Sequence, residues 1–179
     1  MSFLAVWIVL VAPPADAPRP SPALGPAEVV RIVVEALGKN NSPLPNAGVF
    51  IAYQFASPAN HAVTGPYGHF LRTVKTKDFV PLFQEHPREF GEIAVSGDYA
   101  EQILRLRLDD ARTASYKFTM SLQKKGSRRG CWMVDGVSRR AGAEAPVAGR
   151  SPLYSSKPSG RRGTALSISA RFRAWRRAA

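Results

Sequence analysis

Hydrogen-bonding side chains crowd into one sixteen-residue stretch, FASPANHAVTGPYGHF, at positions 55–70, where Ser57, Asn60, His61, Thr64 and His69 stand among three aromatics, two prolines and two glycines with almost no charge. Ser57, Asn60, Thr64 and His69 are the candidate ligand contacts, because each can donate to or accept from a bound molecule. Nucleophilic catalysis would need a base within hydrogen-bond reach of a hydroxyl or thiol. The histidines of the chain are His61, His69 and His86, and no motif sets any of them beside Ser57 or Cys131. The same stretch also has a structural reading. Ser57 with Pro58, and Thr64-Gly65-Pro66, are turn devices that cap and connect helices while Phe55, Tyr67 and Phe70 pack inward. Gly, Pro, Ser and Asn most often serve turn geometry, so the stretch reads first as a packed, turn-rich cover.

Motifs for other chemistries are absent from the sequence. It carries no phosphate-binding glycine loop, no dinucleotide fingerprint and no His/Cys/Asp spacing for a metal, so no cofactor and no metal is expected. The single Cys131 excludes an internal disulfide, and its neighbours Trp132 and Met133 point to a buried structural thiol.

The elements that must position these residues follow from periodicity. In PAEVVRIVVEALGKNN, Val29, Val33, Ala36 and Leu37 recur at helical spacing, with Pro26 and Glu28 suited to the first turn and Gly38 to the stop. AGVFIAYQFAS fits both periods: Val49, Ile51, Tyr53 and Phe55 alternate as in a strand, while Val49, Ala52, Tyr53 and Ala56 share a helical face. Local propensity favours the strand. HFLRTVKTKDFVPLFQEH predicts a helix around Phe70, Leu71 and Val74 and a second, short one around Phe79, Leu82 and Phe83 that tolerates Pro81 in its first turn. Downstream the period becomes two. DYAEQILRLRLDD and ASYKFTMSLQKK each give one apolar and one largely polar face, DDAR makes their hairpin, EIAVSG precedes them, and GCWMVDGV returns as a further strand. Helices followed by antiparallel strands predict an α+β fold, with N-terminal helices packed over a curved antiparallel sheet.

ALGKNN, GVFIAYQFASPANHAVTGPYGHF, DFVPLF and GCWMVDGV together resemble a family of plants, algae and bacteria catalogued only as a domain of unknown function, within the nuclear transport factor 2-like superfamily. The resemblance covers residues 26–137. It implies a cone of three helices over a bent antiparallel sheet with an internal cavity, and it implies a helix for AGVFIAYQFAS. A domain of this kind would bind a small apolar ligand or a protein partner without catalysis, and a second copy would dock through the sheet to form a homodimer. The alternative it implies is a superfamily-type hydrolase or isomerase, with Asp98 or Asp135 as general base in the cavity and His61 or His69 assisting.

Composition sets the limits around that core. A chain of 179 residues with 45% hydrophobic and 21% charged residues can bury one domain core. The net charge of +12 is unevenly spread: residues 138–179 hold ten basic residues against Glu144, leaving the rest of the chain at +3. The expected organisation is an apolar run and Pro/Ala-rich linker over 1–25, the α+β domain over 26–137, and a basic, disordered tail over 138–179. The apolar run at 3–12 is too short to span a bilayer, so no transmembrane helix is expected. It has the length of a signal-peptide core, but no Lys or Arg precedes it and Pro18 would follow the Ala15-Asp16-Ala17 cut; an organelle (plastid) transit peptide should be richer in Arg and Ser. Neither pattern is complete, and the sequence assigns no location.

In the tail, ARFRAWRRAA sets Phe172 and Trp175 at i,i+3 among arginines, a pattern suited to weak contact with nucleic acid or an anionic membrane. Affinity of the chain for a generic duplex or for anionic vesicles should therefore fall steeply between low and moderate salt. Binding measured at the two salt concentrations checks this, and salt-insensitive binding would show that the arginines are not its cause.

Overall fold

The computed structural model describes residues 17–110 and 112–140. The apolar run at 3–12 and the chain beyond 140, with the expectations attached to them, lie outside the described residues. Among the described residues, four α-helices and a five-stranded antiparallel sheet form an α+β arrangement. No helix there is long and apolar enough to cross a membrane.

Helix α1 (Pro26–Gly38) starts with Pro at its first position, and the Glu28 carboxylate accepts from the Gly25 N–H at 2.7 Å, which satisfies an orphan donor at the positive end of the dipole. Val29, Val30, Val33, Val34 and Leu37 form its buried stripe. Helix α2 (Ala47–Phe55) is the segment whose local propensity favours a strand. Its buried residues, Gly48, Val49, Ala52 and Phe55, recur at helical spacing; of the expected helical face Val49 and Ala52 are buried within the helix, Ala56 is buried just after it, and Tyr53 is half-buried. Tertiary contact overrides propensity here: Gly48 lies so close to α1 that a Cβ on it would stand 1.9 Å from the Ala36 carbonyl oxygen. Buried Asn40 fixes the start of α2, its carbonyl accepting from the Gly48 N–H at 3.2 Å and its side-chain oxygen from the Val49 N–H at 3.0 Å.

The stretch read as a turn-rich cover contains a helix of its own, α3 (Pro58–Thr64), with Ser57 as N-cap and Pro58 at the first helical position. Gly65 at φ 75° stops it, and α4 (Tyr67–Val74) follows, burying Phe70. The short helix expected around Phe79 and Phe83 is a 3-10 turn, Val80–Phe83, with Pro81 in its first half.

The strands are β1 (Arg88–Phe90), β2 (Ala94–Ser96), β3 (Tyr99–Arg107), β4 (Thr113–Leu122) and β5 (Trp132–Arg140). Their order is β1-β3-β4-β5, with β2 also paired to β3. The three-residue β1 has no counterpart in the sequence reading. Ala100, Leu104 and Leu106 of β3 and Ala114, Tyr116, Phe118 and Met120 of β4 are buried on the inner face against the helices, as their alternation predicts. Burial pushes the Tyr116 phenol up to about 12, so it stays a donor, and it donates to the Asp78 carbonyl at 2.8 Å, tying the loop before the 3-10 turn to the middle of the sheet. Strand β5 also corrects one boundary. Ser138, Arg139 and Arg140 pair with Lys117, Tyr116 and Ser115, so the folded body continues three residues past the end expected from composition.

Gly48→Ala should destabilise the protein by about 3 kcal/mol or more, since the atom it meets is backbone and cannot move away cheaply. Gly68→Ala is the control, because a Cβ there meets nothing within 4 Å and α4 gains a better helix former. Thermal unfolding of both variants checks this, and a Gly48→Ala protein as stable as the parent would show that α1 and α2 are not in contact.

Candidate functional site

Strand β5 is an edge of the sheet, and an irregularity in its pairing governs what docks there. Met120 pairs with Val134 and Thr119 with Gly136, which leaves Asp135 as an extra residue in a bulge. The α2–α3 junction lies along this edge. Ala56 forms a parallel bridge with Val134, and the Ser57 N–H donates to the Val134 carbonyl at 2.9 Å. Ser57 is fully buried, and its hydroxyl oxygen accepts from the Asn60 N–H at 3.1 Å to cap α3. Asn60 then reaches back to the strand, its side-chain nitrogen donating to the Asp135 carbonyl at 3.2 Å. The Thr64 hydroxyl lies 2.9 Å from the Asn60 carbonyl and 3.1 Å from its side-chain oxygen, and it orients that amide.

Behind this junction lies a partly open cavity of about 60 Å³ between the helices and β5. Val33 and Leu37 of α1 line it, with Ala52, Asn60 and Thr64 from α2 and α3, Phe70 and Thr73 from α4, Leu82 from the 3-10 turn, and Val134 and Val137 from β5. No ionisable side chain lines it. Its polar groups are engaged with the protein itself: Asn60 and Thr64 as above, and the Thr73 hydroxyl with the His69 carbonyl at 3.0 Å. No protein-family model, no curated protein and no solved structure matches the chain.

The residues singled out in the sequence are thus divided. Asn60 and Thr64 line the cavity; Ser57 does not line it and serves as the cap. His69 is exposed and outside the lining. His61 is half-buried, stacked on Tyr53 with ring centroids 4.3 Å apart, and its Nε2 lies 3.0 Å from the Tyr53 carbonyl. A carbonyl only accepts, so that nitrogen carries the proton and donates. Asp98 is exposed in the turn between β2 and β3 and pairs with Lys124. Asp135 is 5% exposed, but its Oδ1 accepts from the Ser121 hydroxyl at 2.7 Å, and Ser121 alternates with inward Met120, so this carboxylate lies on the face of the sheet away from the cavity. The structure therefore brings neither Asp98 nor Asp135 together with His61 or His69 at the cavity. Cys131 is buried, and no cluster of three or more His, Cys, Asp or Glu fit for a metal occurs among the described residues. Thr73, the lining residue missed in the sequence, shares a helical face with Phe70 and Val74, and that i,i+3 spacing is the signal that marks it.

Asn60→Ala leaves the Asp135 carbonyl without its side-chain donor and should cost about 1–3 kcal/mol. Asn60→Asp should cost more at neutral pH, because a carboxylate cannot donate to a carbonyl. Urea unfolding measures both, and unchanged midpoints would mean that this bond does not hold α3 on the strand.

Proposed function

We propose that the described fold is a nuclear transport factor 2-like cone and that its cavity binds the apolar end of a small ligand, without catalysis. One observation carries this reading: a partly open cavity between helices and sheet whose lining is almost entirely apolar and contains no ionisable group. Pockets that hold small molecules are mostly apolar with a few fixed polar groups, and Asn60, Thr64 and Thr73 supply those here. At about 60 Å³ the space is smaller than the cavity of about 150 Å³ that admits benzene, and it takes a short alkyl terminus. Acid–base chemistry of the hydrolase or isomerase kind would need a carboxylate or imidazole within hydrogen-bond reach of a bound substrate. The positions of Asp98, Asp135, His61 and His69 outside the lining weigh against it.

Alkyl probes such as n-butanol and n-hexanol test the proposal by thermal shift. A probe present at ten times its Kd contributes about 1.4 kcal/mol and should raise Tm by about 3–6 °C. Val74→Trp places a large ring at the cavity wall and should abolish that rise. The proposal fails if no probe stabilises the parent protein, or if Val74→Trp responds as strongly as the parent.

A further inference from the structure

Two buried side-chain atoms among the described residues have no hydrogen-bond partner, Gln102 Oε1 and Ser115 Oγ. They differ in kind. The Gln102 amide is held by its other end, where Nε2 donates to the Gly91 carbonyl at 2.8 Å. The Ser115 hydroxyl makes no bond, although the residue is only 2% exposed. Leaving a buried hydroxyl unpaired is unfavourable, so its surroundings deserve explanation.

The ladder supplies them. Ser115 stands directly opposite Arg105 of β3 on one side and Arg140 of β5 on the other. Opposed residues in an antiparallel sheet share a face, with Cβ atoms about 4.5–5.5 Å apart. Lys117, two residues along β4, and Arg107, two along β3, belong to the same outer face. Arg105 is paired with exposed Glu89 at 3.1 Å and Lys117 with Glu101 at 2.5 Å. Arg107 and Arg140 have no ion-pair partner among the described residues. Burial pushes the Glu101 carboxyl up, but hydrogen bonds from Lys117 and Tyr99 and the charges of Lys117 and Arg140 outweigh it and hold the group below its ordinary value. The Arg140 charge is therefore felt on this face. Four cations surround one unsatisfied hydroxyl here, with two carboxylates to offset them.

We propose that the outer face of the sheet binds a phosphate-type oxyanion at Ser115, held by Arg140 and Arg105 with the Ser115 hydroxyl as a further donor. Such an anion gives the hydroxyl the acceptor it lacks and gives Arg140 a counter-charge, and the planar guanidinium fork matches its geometry. Ser115 is 2% exposed, so the anion reaches its hydroxyl when the long cationic side chains on either side swing aside. The site is on the opposite face from the apolar cavity and does not depend on it. Its ligand is either free phosphate or the phosphoryl end of a phosphomonoester.

The test is a site-resolved titration of the isotope-labelled full chain, with inorganic phosphate and then with glycerol phosphate, against chloride at constant ionic strength. The expected result is saturable amide shifts at Ser115, Arg105 and Arg140. Arg140→Gln should weaken binding roughly tenfold or more, the loss of one charge-assisted contact. Ser115→Ala should weaken it several-fold while leaving Tm unchanged or higher, which a serine with a purely structural role would not do. Tighter binding of glycerol phosphate assigns the ligand to the phosphomonoesters, and tighter or equal binding of inorganic phosphate assigns it to the free ion. Shifts that do not saturate, shifts confined to residues beyond 140, or equal affinities in the parent, Arg140→Gln and Ser115→Ala proteins would overturn the proposal.

Discussion

The helical layer hangs from two hydrogen bonds on the edge of β5, Ser57 N–H to the Val134 carbonyl and the Asn60 amide to the Asp135 carbonyl. Helices α2, α3 and α4 are nine, seven and eight residues long, short of the dozen or more at which an isolated helix becomes even marginal in water. They persist because something docks them. The bulge at Asp135 presents two successive carbonyls to the α2–α3 junction, where regular pairing would turn alternate ones away. Ala56 adds one parallel bridge and Ser57 one hydrogen bond to an edge that would otherwise be open to another chain. The cavity lies behind this attachment, lined by Val134 and Val137 of β5 and by Phe70, Thr73 and Leu82 of the later helical segments.

A second constraint sets the angle at which that layer arrives. Gly48 brings α2 against the Ala36 carbonyl, and Asn40 holds the first N–H groups of α2 from the end of α1. With one end of α2 fixed to α1 and the other, through Ala56, to β5, the helix spans from neighbour to sheet and its buried residues have no freedom to reregister. Tyr116 closes the opposite side, its phenol holding the Asp78 carbonyl from the centre of the sheet. The helical layer is thus held by polar ties at three corners, each satisfied in its own hydrogen bonds.

These ties also explain what could be read from the sequence. Strands β3 and β4 were legible because a sheet with one buried face forces alternation onto the chain, and Ala100 to Leu106 and Ala114 to Met120 obey it. Residues 47–55 were not, since Val49 belongs to both the helical and the alternating set and the deciding contact, Gly48 with Ala36, is tertiary. Helix α3 was hidden by its own composition. PANHAVT holds few strong helix formers, and the Ser57-Pro58 signal marks a helix start as readily as a turn. The last three residues of β5 escaped because the bulge flips its parity: Trp132 and Val134 face the same way as Val137 and Arg139, so no single alternation fits GCWMVDGVSRR. Asn60 and Thr64 were visible as polar groups, but the partner that explains Asn60 is a main-chain carbonyl 75 residues away.

The sheet separates two chemistries by its faces. Inward, Phe118, Met120, Val134 and Val137 present only carbon, sulfur and main chain to the helices; outward, Glu101, Lys117, Ser121 and Asp135 make their bonds with one another or with neighbouring strands. Burying a carboxylate without a counter-charge is costly enough that such a group neutralises or moves. Among Phe70, Leu82 and Val137 there is nothing to compensate it. Asp135 is the residue at which the two faces come closest, since its neighbours Val134 and Gly136 both border the cavity. The bulge resolves the conflict by turning its main-chain carbonyl to Asn60 and its carboxylate to Ser121. One residue thereby anchors the helices from the inner side and turns its carboxylate to the outer, and the cavity stays apolar because of how that residue is turned.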